Sequence, residues 1–417
     1  MTETVSPLSL YAGYGIELEY MIVDCDHLDV LPVTDRILKK IAGEYTNEVE
    51  RGEVAWSNEL VLHVIELKTN GPAASLEKLP PLFLDNLNQI NTIVADINGC
   101  LMPTAMHPWM DPYRETHLWT HEASEIYDTY NRIFNCQGHG WSNLQSMHIN
   151  LPFANDEEFA LLHAAIRILM PIMPALAASS PIMDGECTGL MDTRLETYRR
   201  NAERIPSITG LVIPEPVSSR NEYIDKILQP MYRDIAEHDP EKILQHEWLN
   251  SRGAIARFDR NTIEIRVLDT QETPRADIAI AAIITSILKK LTALEWSGTE
   301  EQNHLATEKL ADIFMATVRN GEKAIINNRD YLQLFGFPDC RGQVQEVWQY
   351  LLETIPDNTP ELNPELKKTI GSIIHTGPLA RRIKLAVGQN AKQSYLRETY
   401  RQLCECLVNN RLFEGLE

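Results

Sequence analysis

Acidic residues sit inside strand-like segments of this 417-residue chain, where charge is normally avoided. In GIELEY (15–20), Glu17 and Glu19 alternate with Ile16, Leu18, Tyr20 and Ile22, so a strand there is apolar on one face and carries two carboxylates on the other. Alone, such a pair is more often a half-solvated strand than a site. The pattern recurs, however. In TIEIRVLD (262–269), Glu264 and Arg266 share a face opposite Ile263, Ile265 and Val267, and in QSMHINLPF (145–153) His148 lies opposite Met147 and Ile149. The segment ELVLHVIELKT (59–69) is almost wholly apolar apart from Glu59, His63, Glu66 and Lys68, which predicts a strand buried on both faces and a Glu66 that needs a cation. Glu59 and Glu66 would point to opposite faces of a straight strand, so either a bulge intervenes or Glu59 precedes the strand.

If these faces converge, Glu17, Glu19, Glu59, Glu66, His148 and Glu264 surround a common space. Carboxylates so close repel one another unless divalent cations lie among them. Oxygen-dominated ligation suits Mg²⁺ or Mn²⁺, which keep waters and take substrate phosphates as further ligands, and one imidazole suits Mn²⁺ in particular. That describes a nucleotide–metal site, although His148 by itself reads more readily as a satisfied core or surface histidine. Cations for phosphate are also present. Arg257 and Arg260 flank the turn FDRN, Arg266 lies on the following strand, and Arg194, Arg199 and Arg200 cluster in SSPIMDGECTGLMDTRLETYRRN (179–201). A planar guanidinium can stabilise a transferring phosphoryl group or hold a carboxylate, but for any one arginine a surface ion pair is the commoner reading.

The elements that must position these groups follow from periodicity. Strands are predicted over 14–24, 59–69, 145–153 and 254–268, and helices over about 33–46, 76–99, 121–135, 156–178, 221–237 and 275–295. The mixture lacks a βαβ rhythm, which predicts an α+β fold with a mainly antiparallel sheet. After residue 296 the chain reads as helical, with a polar link at SGTEEQN (297–303) and a Pro-rich break at IPDNTPELNP (355–364). The expected organisation is a site-bearing domain over 1–295 and a helical C-terminal region over 296–417, packed on the same domain. Within that region, 391–410 has apolar residues at helical spacing that read as core, and an oligomer interface is the other use left open for the region.

Composition narrows the function. Hydrophobic residues make up 44% and charged residues 23%, as in ordinary globular proteins, and the net charge of −21 with no basic run argues against nucleic acid as a partner. The most apolar stretch, 160–183, is interrupted by His163, Arg167, Pro171 and Pro174, which predicts a buried, kinked helix and no membrane span. The seven scattered cysteines lack CxxC spacing, which points to a reducing compartment, and the N-terminal residues show no cleaved leader. The stretch MHPWMDPYRETHLWTHE (106–122) brings His107, His117 and His121 close in sequence, but its prolines favour a gating loop or ordinary packing over a metal site.

Taken in order, GIELEYMIVD, NELVLHVIELKT, MPTAMHPW, SMHINLPF, ALAASSPIMDG and RFDRNTIEIRVLDT resemble the glutamate–cysteine ligase type 2 family, also called carboxylate–amine ligases. The resemblance runs from about residue 13 to 295, with an echo in HTGPLARRIKL (375–385) that departs from the family's usual wording. It implies the glutamine synthetase/guanidino kinase fold: a curved antiparallel sheet forming an open funnel, helices outside, and ATP with Mg²⁺ or Mn²⁺ on the concave face. It also implies that Glu17, Glu19, Glu59, Glu66, His148 and Glu264 are metal ligands. Arg266 and Glu264 would serve catalysis, and Arg266, Arg257 and Arg194 would hold nucleotide phosphate or substrate carboxylate. The implied reaction is cytoplasmic and has small-molecule substrates, ATP and amino acids. The γ-phosphoryl of ATP passes to a carboxylate, usually that of glutamate, and an amine such as cysteine then displaces phosphate, a step of glutathione biosynthesis. No protein nucleophile is required. The alternatives are a guanidino-kinase-like phosphotransferase, a γ-glutamyl ligase for another amine, and a non-catalytic nucleotide- or metal-binding regulator.

Overall fold

The alternation in GIELEYMIVD builds the central strand of a large sheet in the computed structural model, which describes residues 7–388 and 393–415. The first six residues, part of the segment expected to lack a leader, and the first two of the 391–410 helical stretch lie outside the described residues. The sheet contains β1 (Gly15–Asp24), β2 (Glu48–Arg51), β3 (Val54–Asn58), β4 (Val64–Thr69), β5 (Gly99–Met102), β6 (Ser146–Pro152), β7 (Ala254–Arg257) and β8 (Thr262–Asp269). Their order is β2-β3-β4-β1-β6-β8-β7, with β5 hydrogen-bonded to the far half of β1. Every pairing is antiparallel, as the absence of a βαβ rhythm predicts. The sheet is open, ending at β2 and β7.

Two predicted strands resolve differently. Within 59–69 only Val64–Thr69 is strand, and Glu59 lies in the connection from β3, so it precedes the strand rather than sitting across a bulge. The 254–268 run is two strands joined by a turn over 258–261, with Asn261 at φ 53°. The periodicity did not single out β2, β3 or β5. They are four or five residues long, too short for alternation to rise above background.

Paired residues on neighbouring strands face the same side, so register carries the chemistry. Glu17 is opposite Lys68 on β4 and His148 on β6, Glu19 is opposite Glu66, and Glu264 is opposite Asn150. The alternate residues Ile16, Leu18, Tyr20, Ile65, Met147, Ile149 and Ile263 are fully buried on the other face. They share one hydrophobic cluster with Phe83 and Ile90 of the helix Leu79–Ala95, Phe159 and Leu162 of Asp156–Leu169, and Ile283 and Ile287 of Pro274–Thr292. The predicted kinked helix is present as well. Asn155 caps Asp156–Leu169 by accepting from Glu158 N–H at 3.0 Å, and a 3₁₀ turn at Met170–Ile172 leads to the short helix Pro174–Ala177.

The C-terminal helices contribute to the same cluster through Val347, Trp348 and Ile370. At the kink, the Tyr331 hydroxyl and Trp348 Nε1 donate to the carbonyls of Ile168 and Ile172, each at 2.9 Å. Among the described residues no helix is long and apolar enough to cross a membrane. All seven cysteines are free.

Candidate functional site

The charged face of β1 sets the site. His148 Nδ1 lies 2.8 Å from Glu17 Oε2, and Asn150 Nδ2 donates to Glu17 Oε1 at 3.0 Å. Glu19 accepts from the Ser146 N–H at 2.8 Å and the Ser146 hydroxyl at 3.1 Å, and that hydroxyl lies 2.9 Å from His148 Nε2. Glu66 accepts from the Ser57 hydroxyl at 2.7 Å and stands 3.4 Å from Lys68 Nζ, which also pairs with Glu48 at 2.7 Å. On β8, Glu264 pairs with Arg266, and its other oxygen lies 3.5 Å from Arg257 Nη1.

Ligand atoms of Glu17, Glu66 and His148 lie within 4.8 Å of one another, as do those of Glu19, Glu59 and Glu66, so Glu66 is common to both groups. Glu264 falls outside these two groups and is held by the arginines instead. The donors are carboxylate oxygens with one imidazole nitrogen, a set that fits Mg²⁺ or Mn²⁺. Together with Arg194, Arg257, Arg260 and Arg266 these residues line a cavity of about 490 Å³.

Burial and mutual repulsion shape the electrostatics. Burial, then the charges of Glu19, Glu66 and Glu17, push the Glu59 carboxyl well above the usual carboxylate range. Burial likewise raises Glu66 and Glu19. Burial also opposes the charged form of Glu17, but its hydrogen bond to His148 and the His148 charge outweigh that and bring it down to about 2. Burial works against the His148 imidazolium too, yet Glu17, Glu19 and Glu264 lift it to about 9. Carboxyl groups whose charged forms are disfavoured by burial and by one another are ones that a bound cation would stabilise.

Not every predicted arginine faces the cavity in the same way. Arg257 lies between Asp259 and Glu264, whereas Arg260 has a side chain 61% exposed. Arg194 is buried and ion-paired with Asp269 at 2.5 Å. Arg199 and Arg200 pair with Glu196 and do not line this cavity. Of the three histidines in 106–122, His107 bonds to the Leu28 carbonyl at 2.7 Å and His121 meets Asp35 at 3.1 Å, and none belongs to either group of close ligand atoms.

Several lining residues carried no assignment from sequence. Lys68 was findable, since it stands two places beyond Glu66 on the same strand face. The aromatic lining residues Tyr127, Tyr130, Trp141, Tyr198 and Trp248 were not, because they come from four separate elements and Tyr127 and Tyr130, three apart on one helix, read as core.

A family model described as glutamate-cysteine ligase family 2 matches residues 14–321. The chain belongs to the glutamate–cysteine ligase family 2. As a member of that family it is an ATP-dependent ligase. The match takes in all eight strands of the large sheet and runs past residue 295, where the sequence resemblance fades, to the end of the helix Thr307–Asn320. An uncharacterized protein of Archaeoglobus fulgidus is 31% identical over 399 residues, covering 96% of this chain and 99% of that one. A Nitrosospira multiformis protein bearing the provisional name glutamate–cysteine ligase 2 is 24% identical over 392 residues, 89% of each chain. The fold is similar to that of the Francisella tularensis glutamate–cysteine ligase solved in complex with AMP, with a TM-score of 0.56 and 14% identity over 97% of this chain and 89% of that one.

Proposed function

We propose that this glutamate–cysteine ligase family member joins a carboxylate, glutamate's γ-carboxylate in the first instance, to an amine through an acyl phosphate. The observation that carries the reading is the meeting of Glu17, Glu19, Glu66 and His148 on one face of the sheet with Glu59 of the connection after β3, in a cavity also lined by Arg257 and Arg266. Glu17, Glu19, Glu59, Glu66 and His148 would hold Mg²⁺ or Mn²⁺, which supplies charge neutralisation for the triphosphate and the transferring phosphoryl group. Glu264 orients the Arg266 guanidinium by direct pairing, and Arg266 offers a planar donor set to the equatorial phosphoryl oxygens.

In the first half-reaction a carboxylate oxygen attacks the γ-phosphorus and ADP leaves. In the second, the amine lone pair attacks the acyl carbon, phosphate departs with the C–O electron pair, and the amine gives up a proton. A carboxylate is a poor electrophile, and phosphorylation provides its leaving group, so no side-chain nucleophile is called for. Cysteine is the acceptor supported by the family description, with another amine as the second reading. The free cysteines support work in a reducing compartment such as the cytoplasm.

The test is phosphate release from ATP, screened over carboxylate and amine pairs with Mg²⁺ or Mn²⁺, with the amide identified by mass. Release that requires both glutamate and an amine supports the proposal. Phosphorylation of a guanidino compound instead would favour the phosphotransferase, and nucleotide binding without turnover of any pair would favour a regulator.

A further inference from the structure

A β-bulge beside the site links an unexposed arginine to the chemistry. The β6–β8 register runs from Thr262↔Pro152 to Ile265↔Ile149, but then Leu268 faces Met147 and Asp269 faces Ser146. One extra residue is therefore accommodated on β8 at Arg266 and Val267. A bulge bends its strand and re-aims the side chain that it carries, here Arg266.

Arg266 N–H donates to the Gly253 carbonyl at 2.8 Å, but the Gly253 N–H is committed to the Val212 carbonyl at 2.7 Å. The Arg266 carbonyl accepts instead from Arg194 Nη2 at 3.1 Å. Arg194 Nε donates to Asp269 Oδ1 at 2.5 Å, on the far side of the bulge. Asp269 is fully buried and is itself fixed, its Oδ2 accepting from Ser179 N–H and from the Ser180 hydroxyl, both at 2.8 Å. Ser180 Oγ also accepts the Arg194 backbone N–H at 3.1 Å, closing the ring of bonds.

We infer that Arg194 is a positioning residue, a clamp across the bulge of β8 that fixes the direction in which Arg266 faces the cavity. The role expected from sequence is direct contact with phosphate or carboxylate; Arg194 does line the cavity, and the clamp is a further role assigned to it from its bonds to Asp269 and the Arg266 carbonyl. It rests on the ligase reading for what Arg266 then does. A lysine at 194 could meet Asp269 as a point charge, but it could not offer the two diverging donors that reach both Asp269 and the Arg266 carbonyl.

A double-mutant cycle tests the clamp. Manganese–ATP affinity by calorimetry, and phosphate release with glutamate and cysteine, are measured for the wild type, R194K, R266K and the double variant. R194K should lower kcat on the order of 10²-fold in the wild-type background, as a misplaced catalytic group does, with the KM for ATP changed less than about threefold. In the R266K background the further loss should be under about twofold. Equal losses in both backgrounds would mean that Arg194 acts on ligand independently of Arg266, and would overturn the inference.

Hydrogen exchange is the ligand-free arm. R194K should speed amide exchange in 262–269 by about tenfold and leave 15–20 unchanged, and unaltered exchange in 262–269 would also overturn it. If R194K does not fold, R194Q replaces it in both arms. A wild type that neither binds manganese–ATP nor releases phosphate would defeat the ligase reading, while the exchange result would still decide the clamp.

Discussion

Glu17 and His148 are direct register partners on β1 and β6, and their side chains meet at 2.8 Å between Oε2 and Nδ1. The imidazole also reaches the Ser146 hydroxyl, which donates to Glu19, so one ring joins two carboxylates of the site. The Glu17 contact and the nearby charges of Glu19 and Glu264 favour the protonated ring more than burial disfavours it.

A stability profile for the chelator-treated protein follows. The folded-state value of His148, about 9, lies above the ordinary 6.5, so the stabilising contribution is fully present below pH 6.5 and is lost as the pH rises through 9. Its size is on the order of 3 kcal/mol. Urea midpoints for the wild type with EDTA should fall between pH 6.5 and 9, while those of His148→Gln change little over that window. Parallel profiles would show that His148 does not titrate in this way.

Glu66 belongs to both groups of close ligand atoms, which makes it the most informative single ligand to remove. Glu66→Gln keeps the shape and the Ser57 contact but removes a charge from both groups. Manganese affinity, followed by the loss of free-ion paramagnetic resonance signal, should drop by at least about tenfold. Unchanged affinity would place any metal elsewhere.

Arg266→Lys retains charge at the cavity but loses the planar fork that pairs with Glu264. Turnover should fall on the order of 10²-fold, the cost of losing one well-placed donor to a developing charge, with the fold intact by circular dichroism. Glu264→Gln should weaken magnesium–ATP binding in calorimetry. Near-normal turnover of the first variant would remove Arg266 from the reaction, and undiminished binding by the second would separate Glu264 from the nucleotide site.

Much of this was legible in sequence because strand alternation is strict. Once Glu17 and Glu19 lie on a strand, Ile16 and Leu18 must turn to the other face, and the structure buries both. What alternation cannot convey is register. Nothing local says that His148 stands opposite Glu17, or that β8 slips by one residue after Ile265 so that Asp269 reaches Arg194. That Arg194 is tied to a buried carboxylate is equally invisible locally, because its partner lies 75 positions away. The short strand Val54–Asn58, which supplies Ser57 to Glu66, was hidden for a different reason, since five residues carry too few alternations to count.

The C-terminal region offers a test of how far the folding unit extends. Trp348, from the helix Val344–Glu353, is fully buried in the same cluster as the sheet's apolar face, and its Nε1 donates to Ile172 at the kink beneath that sheet. Replacing it by alanine removes a large apolar side chain from a close-packed core and leaves the Ile172 carbonyl without this donor. The cost should be about 3–5 kcal/mol. If the helices after residue 296 pack on the site-bearing domain as one cooperative unit, that loss shifts a single urea transition seen alike by far-ultraviolet circular dichroism and by manganese–ATP binding. Two separated transitions, with binding lost only in the unshifted one, would show instead that the helical region unfolds apart from the sheet and that Trp348 stabilises only its own neighbourhood.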